Sequence, residues 1–119
     1  MWLSLWLLGC ASMLGLEVLD EVPADFPLPI EAETGNITRA SHGQVSVDLA
    51  FEKKEQARSH WEHLRTTAEA KGWSVTKEGK EGKLDQVTLE GPEGRLSLGC
   101  CRPRADRQQL VFVSWWPKE

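Results

Sequence analysis

The chain of 119 residues lacks the ~20 consecutive apolar residues that a bilayer-spanning helix requires. Its opening run, Trp2 to Leu16, is fifteen residues long and ends at Glu17. Basic residues are not in excess. The formal net charge of −4 argues against a nucleic-acid-binding protein, which usually presents a basic face, and no nucleic-acid partner is expected. Only three cysteines occur, and no Cys-x-x-Cys spacing of a thiol oxidoreductase is among them. "KEGKEGK" (Lys77 to Lys83) has glycine and lysine but not the spacing of a phosphate-binding loop. No Ser-His-Asp set, paired carboxylates or cofactor fingerprint stands out, so a non-enzymatic protein without a cofactor is expected.

What is present begins with the opening run, uncharged from Trp2 to Leu16. A short apolar run at the N-terminus fits the hydrophobic region of a secretory signal. Within it, Leu7-Leu8-Gly9-Cys10 resembles the lipobox of bacterial lipoproteins. The resemblance implies a diacylglycerol on the Cys10 sulfur, further acylation (palmitate is typical), cleavage before Cys10, and a bacterial cell-envelope location. It also implies outer-membrane sorting, because Ala11, not aspartate, follows the cysteine.

Charge divides the remainder. Residues 17–43 hold six acids and one base, Arg39, whereas residues 44–119 hold 13 bases and 12 acids. The acidic part contains Pro23, Pro27 and Pro29, which forbid helix and favour an extended chain. Phe26, Leu28 and Ile30 alternate there, so one side can lie on a neighbouring surface. Three parts are therefore expected: a signal and lipobox segment (1–16), an acidic, proline-containing tether (17–43) and a folded domain (44–119).

In the folded part, "QVSVDLAF" (Gln44 to Phe51) alternates as a half-buried strand. Ala57, Trp61, Leu64 and Ala68 then recur at helical spacing, and Lys71-Gly72 is a fitting helix end. Strands are read at "WSVTKE", "KLDQVTLE", "RLSLGCC" and "QLVFVSWW", with Gly79 and Gly82 as breaks and Gly91-Pro92-Glu93-Gly94 as a turn. The expected fold is α+β: a two-layer sandwich with one helix on an antiparallel sheet of about five strands, in the order strand–helix–four strands.

That order resembles the cystatin fold, whose inhibitors act through a Gln-x-Val-x-Gly hairpin. "DQVTLEG" supplies Gln86, with Thr88 at the valine position. The layout of lipidated cysteine, acidic tether and small α/β domain also resembles small envelope lipoproteins. More loosely, it resembles the helix-grip domains of the C component of the outer-membrane β-barrel assembly machinery.

Four features invite a functional reading. His60 and His63 lie three apart on the helix and can share a metal, but no third ligand is evident, so no metal site is assigned and the pair is only a weak candidate. Cys100-Cys101 are adjacent on a strand, which should send their side chains to opposite faces. Arg102, Arg104 and Arg107 cluster in one turn and could meet an anionic head group or an acidic partner. Trp115-Trp116 also face opposite ways: either both pack, or one is exposed as a rigid aromatic contact.

The expectation is a membrane-anchored envelope lipoprotein, lipidated at Cys10. Its domain serves as a non-catalytic interaction or structural module, contacting an envelope protein through Trp115, Trp116, Arg102 and Arg104. The alternatives are a secreted cystatin-like inhibitor, and a small metal-binding protein or enzyme using His60 and His63.

Overall fold

The computed structural model describes residues 16–82, 84–103 and 108–118. Cys10, Arg104 and Arg107 lie outside them. One helix, α1 (Lys54–Ala70), packs on a seven-stranded antiparallel sheet. The strands are β1 (Leu16–Val18), β2 (Thr34–Ala40), β3 (Val45–Phe51), β4 (Ser74–Glu81), β5 (Leu84–Gly91), β6 (Gly94–Pro103) and β7 (Gln109–Pro117). Their order across the sheet is β1-β2-β3-β7-β6-β5-β4.

The α+β class and, among the described residues, the one helix packed on an antiparallel sheet agree with the sequence. The sheet is wider than the expected five strands, because residues 17–43 contribute to it. β1 pairs β2 through Leu16–Ala40, Glu17–Arg39 and Val18–Thr38, and β2 pairs β3. Pro23, Pro27 and Pro29 fall in the connection between β1 and β2, where no ladder amide is required of them. That connection is a strap folded against the domain. Leu28 is buried, and Leu19, Val22, Phe26, Ile30 and Ala32 pack against the core.

The core follows strand period two on one sheet face and helical period on α1. Val45, Val47 and Leu49 of β3 share the buried face with Val111, Val113 and Trp115 of β7, Leu96, Leu98 and Cys100 of β6, and Val87 and Leu89 of β5. Ala57, Trp61, Leu64 and Ala68 of α1 close over them, and Trp61 Nε1 donates to the Leu98 carbonyl at 3.0 Å. Because β3 and β4 are parallel and separated by three strands, α1 crosses the sheet diagonally on its way between them. Arg58–Asp85 (2.9 Å) and Arg65–Glu78 ion pairs hold its outer side to β5 and β4.

The helix begins with the Gln56 side chain accepting from the Lys53 amide at 3.3 Å. It ends in a Schellman arrangement: Gly72, at φ +96°, donates to Glu69, and Trp73 donates to Ala68. Trp73 then turns into the core against Gly91, where an added Cβ would lie 2.4 Å from the indole. β4 runs through Gly79 as far as Glu81. Gly79 therefore does not break the strand, and the tip of this hairpin is shorter than "KEGKEGK" suggests. Gly82, at φ +63°, supplies the left-handed residue of the turn.

Both cysteines of β6 are buried, rather than one on each face. A register shift between Cys100 and Arg102 interrupts the alternation there. The two sulfurs are paired with each other across a cis peptide.

Replacing Gly91 by alanine should force the Trp73 indole to move and lower the unfolding free energy by ~1–3 kcal/mol. Urea unfolding of the variant beside the wild type reads this directly. An unchanged midpoint would mean that Trp73 does not rest on Gly91.

Candidate interaction surface

With α1 and the strap on one face, the other face of the sheet is open among the described residues. The residues that alternate with the core line it. A row of hydroxyl side chains crosses it in register: Thr38 (β2), Ser46 (β3), Ser114 (β7), Ser97 (β6) and Thr88 (β5). Ser46 and Ser114 lie 3.5 Å apart, Oγ to Oγ. A solvated antiparallel face is ordinarily polar in this way. What distinguishes this one is two aromatic rings four residues apart on β7, Phe112 and Trp116, each with an arginine over it. The Arg95 guanidinium lies 4.5 Å from the Trp116 ring centroid, and that of Arg102 lies 5.1 Å from Phe112. In both pairs the ring is half-buried and the arginine is exposed. A guanidinium stacked this way gains cation–π attraction while its N–H edge remains free for an acceptor.

The two adjacent tryptophans therefore separate. Trp115 faces the core with 5% exposure, donates from Nε1 to the Glu93 carbonyl at 2.9 Å, and meets Phe26 of the strap edge-on at 5.7 Å. Trp116 alone reaches the open face. Arg102 shares that face with it, through Phe112. Arg95 and Phe112 are not among the residues that stand out in the sequence. Phe112 could have been found from its spacing to Trp116, since residues i and i+4 of a strand share a face. Arg95 could not, because its pairing with Trp116 depends on the β6–β7 register.

His60 and His63 do come together, with ring centroids 6.0 Å apart, and Phe51 packs 5.2 Å from His60. Glu55, Gln56 and Ser59 complete the cleft around them. His42 sits in the β2–β3 turn beside Gln44, at the opposite end of β3 from Phe51. Among the described residues, no set of three or more His, Cys, Asp or Glu is placed to hold a metal. Gln86 lies within β5, paired to β4 and β6, rather than at a hairpin tip. No helix among the described residues is long and apolar enough to cross a membrane.

His60 has a definite electrostatic character. Its Nε2 is buried without a hydrogen-bond partner among the described residues. Burial and then the neighbouring His63 push its pKa below 6.5, while Glu31 of the strap acts weakly in the opposite direction. A depressed histidine binds fewer protons in the folded state than in the unfolded one. Its contribution is thus fully present above the unfolded value and is lost as pH falls from there through the folded value. Unfolding midpoints measured from about pH 8 to about pH 5 should fall toward acid, and His60→Gln should flatten that segment of the profile. An identical pH profile for the variant would refute the assignment.

Compared with known proteins, the chain matches no family model, no curated protein and no solved structure.

Proposed function

We propose that the chain is a bacterial cell-envelope lipoprotein, anchored by lipid on Cys10, whose α+β domain is a non-catalytic interaction or structural module. The anchor rests on Leu7-Leu8-Gly9-Cys10 at the end of an uncharged apolar run. The observation that carries the module is the open sheet face, where Arg95–Trp116 and Arg102–Phe112 stand at either side of the hydroxyl row. Aromatic and arginine side chains are the types enriched at contact surfaces, since they combine large area with directional polar edges. An envelope protein is the partner that such a face suits. The outer membrane is the proposed location, given Ala11 after the cysteine.

Detergent phase partitioning of the expressed protein, wild type beside Cys10→Ala, tests the anchor. The wild type should enter the detergent phase, with an intact mass that has lost residues 1–9 and gained diacylglycerol and acyl groups. Cys10→Ala should lack that increase. A wild type that stays aqueous at its unmodified mass would remove the anchor from the proposal.

A further inference from the structure

The large apolar side chains exposed among the described residues are Leu16, at 50%, and Val18, at 79%. Both belong to β1, and as residues i and i+2 of one strand they share a face. The cross-strand register assigns that face. Val18 pairs with Thr38, Thr38 with Ser46, and Ser46 with Ser114, so Leu16 and Val18 belong to the open side of the sheet. They also lie at the same end of it as Trp116. Leu16 pairs with Ala40, whose amide donates to the Gln44 carbonyl, and Trp115 pairs with Val45. β1 and β7 are three strands apart, about 14 Å at the ordinary strand spacing. One end of the open face thus presents two bare aliphatic side chains, an indole and its stacked arginine.

Leu16 at this end is also the described residue nearest to Cys10 in sequence. Five residues lie between Cys10 and Leu16, so the two are six residue steps apart and even fully extended reach no more than ~22 Å. A domain held by lipid at Cys10 keeps Leu16 within that distance of the bilayer. Aliphatic side chains beside tryptophan and a long cationic side chain are what an interfacial contact requires. The apolar parts enter the headgroup layer, and the indole N–H and guanidinium stay at its polar level. The charge around Trp116 is balanced, with Arg95 and Lys118 close to Glu90 and Glu93. The strap that follows β1 is acidic, carrying Asp20, Glu21 and Asp25. An anionic surface would be repelled by the strap and gain nothing from the balanced patch, whereas a zwitterionic headgroup offers each charge a partner.

We infer that the Leu16–Val18–Trp116–Arg95 end of the open face is a docking surface for a zwitterionic phospholipid bilayer, seating the domain against the membrane that holds its anchor. The far end, with Phe112 and Arg102, is left for a protein partner. The inference rests on the proposed lipidation of Cys10.

The test uses the full lipidated chain on phosphatidylcholine vesicles whose acyl chains are brominated close to the headgroup. Bromine quenches indoles in contact with the bilayer. Trp61, Trp73 and Trp115 are shielded in the domain. The wild type should float with the vesicles and be quenched. Trp116→Phe should float equally and lose most of the quenching. Leu16→Ser/Val18→Ser should float, because the lipid remains, and show weaker quenching. A wild type that floats but is not quenched, or whose quenching survives Trp116→Phe, overturns the docking surface while the anchor stands, and returns the face to a protein or a second copy. A wild type that fails to float, with an unmodified mass, overturns the anchor and the docking surface together.

Discussion

The constraint on which this structure depends is coverage. Seven strands at ordinary spacing make a sheet about 29 Å wide, whereas a helix with its side chains is only about 10–12 Å across. α1, even laid diagonally, covers β6 and β7 and reaches β3 and β4. The apolar flank formed by Ile37, Val45 and Trp115 would remain wet beneath it. The strap solves this. Leu28 is buried there, Phe26 meets Trp115 edge-on, and the Lys71 ammonium donates to the Pro27 carbonyl at 3.5 Å, tying the strap to the C-terminal end of the helix. Two different elements thus complete one core.

With both covering elements on one side, the other side is left bare among the described residues. That asymmetry is what makes Trp115 and Trp116, neighbours in sequence, so different in role: one is roofed by the strap, and the other stands on the open face under Arg95. It also gives the acidic segment two consequences. Its apolar side chains stabilise the domain, while its carboxylates set the charge beside β1, where the chain comes from Cys10. The histidine pair sits at the seam between helix, β3 and strap, and Glu31 contributes to its electrostatics from the strap side.

Much of the domain could be read from local pattern. The alternation of Val45, Val47, Leu49 and Phe51, the stripe of Ala57, Trp61, Leu64 and Ala68, and the Lys71-Gly72 end all appear in the structure where periodicity puts them. β1 and β2 were not legible, for a physical reason. β2 reads "TGNITRA", with glycine and asparagine among its residues, a register shift between Thr34 and Ile37, and Ile37 as its one buried side chain. No alternation survives to be seen, and its partner β1 is three residues long. The opposition of Trp115 and Trp116 followed from strand geometry. Which of them is covered did not, because it is decided by where the strap lies. Arg95 reaches Trp116 only through cross-strand register, which no local window contains.

If the strap is part of the core, truncating its buried anchor must weaken the whole domain. The most direct measurement is urea unfolding of the full chain with Leu28→Ala, followed by tryptophan fluorescence. The account predicts one cooperative transition of unchanged slope, with the unfolding free energy reduced by ~2–5 kcal/mol, the range for a buried leucine truncated to alanine. A midpoint equal to that of the wild type would show that residues 19–33 hang free of the domain, and would contradict the account.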